Sequence, residues 1–240
     1  MMNAGKSARD RPETAWQRVW REWIRPLLVV VIVLGSFRSA IADWNDVPSG
    51  SMKPTILEGD RVFVNKLAYD LKVPFTTWSM LTWADPLRGD IVVLWSPRDG
   101  KRLVKRVVGV PGDVLEVRGQ RLVVNGQAAE YVPLANDVLP SSDLRARNPG
   151  ALLAQETVDG RSHAVMTGST QGPAASFGPL DVPERCYFVM GDHRDDSLDS
   201  RWFGCVERFR IVGRATAVVL SVDLERNFRP RWGRFFTPLV

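Results

Sequence analysis

The longest apolar run in the chain lies near its N-terminus, where residues 27–34 are eight consecutive aliphatic side chains. With the less apolar residues around it, the run extends over residues 24–43, close to the length of about 20 residues that a bilayer-spanning helix needs. Trp23 and Trp44 stand at its two ends, where interfacial aromatic side chains are expected. The pattern predicts one transmembrane anchor. The alternatives are a cleavable signal peptide, suggested by small residues at 39–42, and a buried core helix.

Basic residues collect on the N-terminal side of this run. They are Lys6, Arg9, Arg11, Arg18, Arg21 and Arg25. Because the cytoplasmic flanks of membrane helices accumulate lysine and arginine, residues 1–23 are predicted to be a cytoplasmic tail. The protein would then be a single-pass protein of the inner (cytoplasmic) membrane, with the rest of the chain in the periplasm or outside the cell. The net charge is +5, but the sequence has no zinc-finger spacing, aromatic RNA-binding signature or basic helix. No nucleic-acid partner is therefore predicted.

Beyond residue 44 the apolar residues occur in short β-branched runs separated by turn residues. The predicted strands cover 61–65, 90–95, 102–110, 114–117, 121–124, 162–166, 186–190 and 211–221. No long amphipathic helical pattern follows the anchor, so we predict a mainly β fold, a folded-over or closed antiparallel sheet. Residues 44–129 and 181–240 are predicted to form this domain. Residues 130–180, with clusters of Pro, Gly, Ser and Asn, are predicted to be an insertion or small subdomain.

Two segments carry large apolar side chains without a clear period. They hold Phe75, Trp78, Met80, Leu81 and Trp83, and then Trp232, Phe235 and Phe236. Core packing is the expectation for any one of these residues. As a group beside an anchor, they also suggest contact with the lipid bilayer.

Three segments carry candidate chemistry. Residues 47–56 form a turn rich in Pro, Gly and Ser around Ser51. Residues 103–113 place Lys105 within an apolar strand that ends in Pro-Gly-Asp. Residues 190–201 form a polar loop between two apolar runs.

In this order, behind a membrane helix, these segments closely resemble the bacterial type I signal peptidases. The resemblance extends from the anchor through Gly59-Asp60 and Arg88-Gly89-Asp90 to Gly213-Arg214-Ala215. It implies an endopeptidase that removes signal peptides from exported precursor proteins after small residues, as in Ala-x-Ala sites. No cofactor or metal is implied, and two histidines and two cysteines are too few for typical metal sites.

The resemblance also assigns roles to residues. Ser51 is the expected nucleophile and Lys105 the expected general base, while the Ser51 N–H and the Ser49 hydroxyl would bind the oxyanion. Ser197 would orient the lysine amine, and Asp199 and Arg201 would form a supporting ion pair. Three further residues, Val47, Met52 and Ile56, would line a small substrate pocket.

The physical chemistry of Lys105 agrees with this expectation. A lysine is charged at neutral pH and cannot act as a base, but burial disfavours the ammonium and lowers its pKa. Lys105 stands between Val104 and Arg106 on a strand that is otherwise typical of a core. Since adjacent strand positions face opposite ways, Arg106 is expected to be the solvated residue of the pair.

Other interpretations of these residues stay open. His193 beside Asp192 invites a triad reading, although its place in the loop favours a turn residue. Pairing Gly191 with Ser200 would put Cys186 opposite Cys205, so that a disulfide and two free thiols are both compatible with the sequence. Among activities, the alternatives are a specialised peptidase that matures pilin-like or conjugative-transfer proteins, and a silent membrane-tethered binding protein. Self-cleaving repressor proteases share the chemistry but lack an anchor.

Overall fold

The computed structural model describes residues 14–134, 150–168 and 176–239, and it begins with one long helix, α1, over Ala15–Ala40. Thr14 and Gln17 cap its start reciprocally, each side chain bonding the other's backbone N–H. A π-helical segment, Trp20–Ile24, lies within it. At about 1.5 Å per residue the 26 residues extend about 39 Å. By length and composition this helix can cross a membrane, but it starts earlier than the predicted 24–43 and ends earlier too.

Eighteen strands follow α1 in the described residues. In chain order they are β1 Ala42–Asp46, β2 Asp60–Asn65, β3 Asp70–Lys72, β4 Ser79–Thr82, β5 Ile91–Trp95, β6 Arg102–Gly109, β7 Val114–Arg118, β8 Arg121–Val124, β9 Gln127–Ala128, β10 Glu130–Pro133, β11 Leu152–Val158, β12 Arg161–Thr167, β13 Phe177–Asp181, β14 Cys186–Met190, β15 Val206–Glu207, β16 Ile211–Asp223, β17 Arg229–Pro230 and β18 Thr237–Pro238. The remaining described helices are one short α-helix, α2 Ser200–Phe203, and three 3-10 turns at Lys66–Ala68, Arg208–Arg210 and Trp232–Arg234. The mainly β prediction is confirmed.

A nine-stranded antiparallel sheet forms the body of the domain. Its order is β1-β2-β16-β5-β6-β14-β15, with β17 and β18 pairing on β16. β16 is the longest strand, and it pairs with several strands along its length. Its pairing with β2 and with β5 contains breaks in register. Such irregularities bend and twist a strand, which allows the sheet to curl over its own core. That core is aliphatic and includes Val62, Ile91, Val93 and Val218.

Smaller sheets cover the ends of this body. β13, β7, β8 and β9 form one of them, and its β7–β8 hairpin matches the sequence prediction. The turn between β8 and β9 is Asn125-Gly126, in which both residues have positive φ as the tight hairpin turn requires.

The region predicted to be an insertion contains a three-stranded sheet of β10, β11 and β12. β13, at the end of the same region, pairs instead with β7. The loop-rich segments at 135–149 and 169–175 lie outside the described residues.

The large apolar side chains at 75–83 are not core residues. Trp78 is 76% exposed, and Phe75, Met80, Leu81 and Trp83 are exposed as well. β3 and β4 form a two-stranded hairpin apart from the main sheet, so neither strand has a second layer to bury these residues. Trp232 and Phe236 are likewise exposed. For these residues core packing was the wrong expectation.

Candidate active site

The turn that carries Ser51 lies between β1 and β2. Val47 exchanges backbone hydrogen bonds with the far side of the turn, donating to Asp60 at 2.9 Å and accepting from Gly59 at 3.0 Å. Val47, Met52 and Ile56 are buried in the main core. The apolar residues on both sides of Ser51 thus fix the turn on the sheet and hold its backbone in place.

Lys105 lies on β6 and is only 2% exposed. Its Nζ lies 2.5 Å from the Oγ of Ser51, which is itself 9% exposed. Burial lowers the pKa of the Lys105 ammonium to about 8, against the opposing effect of Asp199 and Asp192. A substantial fraction of this amine is therefore neutral near physiological pH.

Ser49 stands on the solvent side of the pair. Its hydroxyl oxygen lies 3.5 Å from the Ser51 Oγ, and the residue is exposed. A Cβ on Gly50 between them would approach the Lys53 Nζ to 2.7 Å, so that the Lys53 and Glu58 side chains would have to shift. The exposed Ser49 hydroxyl and the buried Ser51 hydroxyl thus lie side by side on one short turn.

The loop after β14 packs directly on this turn. The His193 N–H donates to the Ser51 carbonyl oxygen at 3.1 Å, and the Gly191 N–H donates to Asp199 Oδ2 at 2.9 Å. A Cβ on Gly191 would collide with both the Ser51 carbonyl and the Ser197 hydroxyl. Glycine at this position therefore lets the loop and the nucleophile turn come into contact.

Asp199 and Arg201 form the predicted ion pair, with nitrogen–oxygen distances of 2.9 and 2.8 Å. Although burial opposes it, Arg201 holds the pKa of Asp199 below its ordinary value. The Ser197 hydroxyl is buried and lies close enough to the Asp199 carboxylate to help lower its pKa, although it makes no hydrogen bond of ordinary geometry among the described residues. The structure thus brings Ser197 beside the turn but does not show it bonded to the lysine amine.

Arg106 contradicts the sequence expectation, because it is buried rather than solvated. Its guanidinium forms two 2.9 Å hydrogen bonds with Asp192, whose carboxylate also accepts from Thr55. The Arg106 ion pair keeps the pKa of Asp192 low despite its burial. The sequence marked this carboxylate only as part of a polar loop. The available signal was a lysine and an arginine side by side in an otherwise apolar strand, a pattern that fits a strand covered on both of its faces.

A second buried ion pair was also missed. Arg194, in the same loop, binds Glu156 of β11 through two hydrogen bonds of 2.7 and 2.6 Å. Glu156 also accepts from Tyr131 of β10. The three-stranded sheet is thereby joined to the loop that contacts Ser51.

His193 is placed differently from a triad base. Among the described residues, the side chains bonded to the Ser51 hydroxyl are Lys105 and Ser49. The His193 Nδ1 lies 3.8 Å from Asp196, on its own loop. Burial lowers the pKa of this imidazole.

Cys186 and Cys205 form a disulfide with a Cα–Cα distance of 5.7 Å. The register that suggested their proximity is wrong by two residues, because β14 pairs Cys186 with Glu207 and Tyr187 with Val206. The bond closes the segment that contains Asp192, Ser197, Asp199 and Arg201.

A serine hydroxyl in contact with a buried amine of lowered pKa, on an antiparallel β domain, is typical of serine hydrolases that use lysine where others use histidine. In the described residues no group of three or more His, Cys, Asp or Glu side chains could hold a metal ion.

Comparisons with known proteins give the family. The sequence profile described as "Signal peptidase, peptidase S26" matches residues 20–220. The chain belongs to this peptidase family. It is 35% identical to a signal peptidase I of Pseudomonas fluorescens, over 82% of this chain and 70% of that protein. It is 34% identical to a signal peptidase I of Pseudomonas aeruginosa, with the same coverage. A solved signal peptidase I from Enterococcus faecalis is 32% identical, over 56% of this chain and 100% of that chain, with a TM-score of 0.34.

Proposed function

We propose that the protein is a membrane-anchored endopeptidase that removes N-terminal signal peptides from exported precursor proteins, with Ser51 as nucleophile and Lys105 as general base. The contact of 2.5 Å between the Lys105 amine and the Ser51 hydroxyl carries this proposal. The relatives' name, signal peptidase I, supports precursors with signal peptides as the substrates.

The reaction begins with proton transfer. Neutral Lys105 takes the proton of the Ser51 hydroxyl as its oxygen attacks the scissile carbonyl carbon, and an ammonium results. The ammonium then donates that proton to the leaving amine, and the acyl-enzyme forms as the peptide bond breaks. In the second half, Lys105 removes a proton from the water that attacks the ester. The resulting ammonium then returns this proton to the Ser51 oxygen as the ester bond breaks, so that the carboxylic product leaves and both residues regain their starting states.

Charge on the carbonyl oxygen must be stabilised in both halves. The Ser51 N–H and the Ser49 hydroxyl are the proposed donors, because both belong to the same short turn as the nucleophile. The exposed position of Ser49, 3.5 Å from the Ser51 oxygen, supports a role at the side where substrate arrives.

The substrate would bind as an extended strand next to β6. β14 pairs with β6 only as far as Arg106, so residues 102–105 have one edge that no described strand occupies. A peptide can add to such an edge through main-chain hydrogen bonds, with alternate side chains entering pockets. Val47, Met52 and Ile56 would form the floor of a pocket too shallow for more than a small side chain such as alanine.

Helix α1 is the proposed anchor. The side chains of residues 27–34 are largely exposed, as expected of a surface that lipid covers. Of the basic residues at the predicted cytoplasmic end, Arg18, Arg21 and Arg25 are described, whereas Lys6, Arg9 and Arg11 lie outside the described residues. This placement supports a cytoplasmic N-terminus and a catalytic domain on the periplasmic or external side of the inner membrane.

The exposed side chains at 75–83 are proposed to contact the same bilayer. We propose no role for nucleic acid or a cofactor.

A precursor-cleavage assay tests the chemistry. Purified full-length protein in detergent should cut a precursor at its Ala-x-Ala site. Ser51→Ala and Lys105→Ala should each abolish cleavage, whereas Lys101→Ala, which removes an exposed lysine from the turn just before β6, should not. Equal turnover by the wild type and Ser51→Ala would reject the assignment.

Topology is tested separately. An alkaline phosphatase fusion, active only outside the cytoplasm, should be active at the C-terminus and inactive at the N-terminus. The reverse pattern would overturn the orientation.

A further inference from the structure

A cleft of about 580 Å³ opens where helix α1 meets the β domain. It lies between the helix end, the β3–β4 hairpin and the turn end of the β5–β6 hairpin, and Ser51 is not among its lining residues. Its lining includes Ser39, Lys66, Lys72, Phe75, Trp78 and Arg102. Three of these side chains are cations, and no carboxylate lines the cleft among the residues described for it.

Lys66 fixes the position of the cleft relative to the helix. Its ammonium donates to the carbonyl oxygens of Arg38 and Ser39, both at 3.0 Å, in the last turn of α1. The last carbonyl groups of a helix have no hydrogen-bond donor within the helix, and the Lys66 ammonium supplies one. Its positive charge also complements the negative end of the helix dipole. The cleft therefore lies at the depth where the apolar helix stops.

The charges around the cleft do not balance. Asp43 accepts from Arg38 and Arg102 and lies 3.4 Å from the Lys66 ammonium. Asp70 pairs with Lys72 and Arg208, and Arg208 also reaches exposed Asp85. Five basic side chains thus share three carboxylates, which leaves a formal charge of +2.

Arg102 has unused donor capacity. Only its Nη1 is bonded to Asp43, and its buried Nε has no hydrogen-bond partner among the described residues. The guanidinium is held over the Trp95 ring, 5.0 Å from the ring centroid. A guanidinium held in this position adds a fixed positive charge to the lining of the cleft, and this charge favours a phosphate group.

We infer that this cleft binds the phosphate headgroup of an anionic phospholipid. The inference rests on the membrane anchoring proposed above. Arg102 and Lys72 would bind the phosphate oxygens, and the acyl chains would run along the apolar surface of α1.

Burial lowers the pKa of both lysine ammoniums, and in each case a neighbouring arginine adds to the effect. An anion in the cleft would oppose these shifts by stabilising the charged amines.

The aromatic residues favour a lipid over a soluble phosphate. Trp78 and Phe75 are exposed at the rim. A Cβ on Gly35 of α1 would lie 3.5 Å from the Phe75 ring, so the ring faces the helix beside the cleft. Tryptophan at the level of lipid headgroups is a common feature of membrane interfaces. A site for free phosphate would have no need of an apolar rim that continues onto a membrane helix.

Native mass spectrometry of the full-length protein released from detergent tests the inference. The Ser51→Ala background is used throughout, so that catalysis does not enter the measurement. Phosphatidylglycerol and phosphatidylcholine with identical chains, and inorganic phosphate, are the probes. We expect phosphatidylglycerol to bind in preference to phosphatidylcholine, and inorganic phosphate not to displace it.

The double variant Lys72→Gln/Arg102→Gln should bind phosphatidylglycerol about 30-fold more weakly, from the usual contribution of two basic residues near anionic lipid. The matched control Arg98→Gln/Lys101→Gln removes the same charge from the exposed turn before Arg102 and should bind as the parent does. Equal losses in both variants, equal binding of the two lipids, or displacement by inorganic phosphate would each overturn the inference.

A second pair of variants leaves all the ion pairs intact. Thr77 lines the cleft and is exposed. Thr77→Glu should abolish the preference for phosphatidylglycerol through repulsion, whereas the neutral Thr77→Gln should retain it. If both variants keep the preference, the lipid is bound elsewhere. If the precursor assay fails while the preference for phosphatidylglycerol persists, the proposed catalysis is rejected and the inference about the lipid-binding cleft stands.

Discussion

Arg106 and Asp192 form a buried bidentate ion pair that joins strand β6 to the loop after β14. Each is the sequence neighbour of a residue at the candidate active site, Arg106 of Lys105 and Asp192 of Gly191. The pair therefore fixes the strand that carries the amine against the loop that packs on Ser51. Its role is one of positioning, since neither side chain contacts the Ser51 hydroxyl among the described residues.

Breaking this pair should be costly. Arg106→Met or Asp192→Leu alone leaves one buried charge without its partner, and we expect a loss of about 3–5 kcal/mol in the free energy of unfolding. The double variant should recover much of that loss, because no charge then remains unpaired. Denaturant unfolding of the wild type, the two single variants and the double variant measures the coupling between the two residues. Arg118→Met serves as control, since the Arg118–Glu116 pair is solvent-exposed and should contribute little to the free energy of unfolding. Additive losses in the double variant would contradict the prediction.

The pH dependence of cleavage should follow the Lys105 amine. Since its pKa is about 8 and only the neutral form can accept the serine proton, kcat/KM should rise up to about pH 8 and then level off. Below that value the slope should approach about tenfold per pH unit. Initial rates on a fixed precursor across pH measure the profile. His193→Asn should keep the same inflection, whereas an inflection that moves or disappears in this variant would assign the base to histidine.

The burial that lowers the pKa of Lys105 should also reduce the stability of the folded protein. The folded protein holds this proton less tightly than the unfolded chain, whose lysine pKa is 10.5. Protonation therefore opposes folding most strongly below pH 8, and this opposition fades as the pH rises toward 10.5. Lys105→Met should be more stable than wild type at pH 7 by up to on the order of 3 kcal/mol, less the contribution of the Ser51 hydrogen bond.

Urea unfolding at pH 7 and pH 10 checks this expectation, because the gap should shrink steeply at the higher pH. Lys101→Met, at an exposed lysine, should show no such change between the two pH values. A gap of the same size at both would mean that the buried amine is not the cause.

Ser49 offers a direct test of oxyanion stabilisation. Ser49→Ala should lower kcat by about 10²–10³-fold and leave KM nearly unchanged, because the hydroxyl is needed mainly in the transition state. Ser49→Thr retains the hydroxyl and should recover most of the activity. Single-turnover cleavage separates this effect from binding. A rise in KM without a fall in kcat would place Ser49 in substrate binding instead.

The disulfide should stabilise the loop that it closes. Cys186 and Cys205 are 19 residues apart, a separation for which a cross-link contributes about 3 kcal/mol by restricting the unfolded chain. Cys186→Ser/Cys205→Ser should lose about that much in denaturant unfolding. Reductant should destabilise the wild type and leave the double variant unchanged. Mass spectrometry should find no free thiol in the native protein, and a count of two would refute the bond.

Local patterns were sufficient for eight of the eighteen described strands. The β-branched runs and their turn residues predicted β2, β5, β6, β7, β8, β12, β14 and β16 with bounds close to those observed. The Asn125-Gly126 turn was predictable for the same reason, since only neighbouring residues determine its positive φ values. The sequence did not resolve β11, because residues 152–158 lie in a region whose composition resembles a loop.

The sequence by itself determined the anchor helix and eight of the strands in order, the family, and the residue types available for chemistry, because these depend on local period, turn chemistry and motif. Only the tertiary structure decided which faces of the curled sheet are covered. It buried Arg106 against Asp192, where the strand alternation suggested a solvated arginine, and it left Trp78 exposed, where core packing was expected of a single large apolar side chain. It also placed the Lys105 amine on Ser51, 54 residues away in the chain. Burial and contact between distant segments depend on how separate strands pack, and no short stretch of sequence encodes that packing.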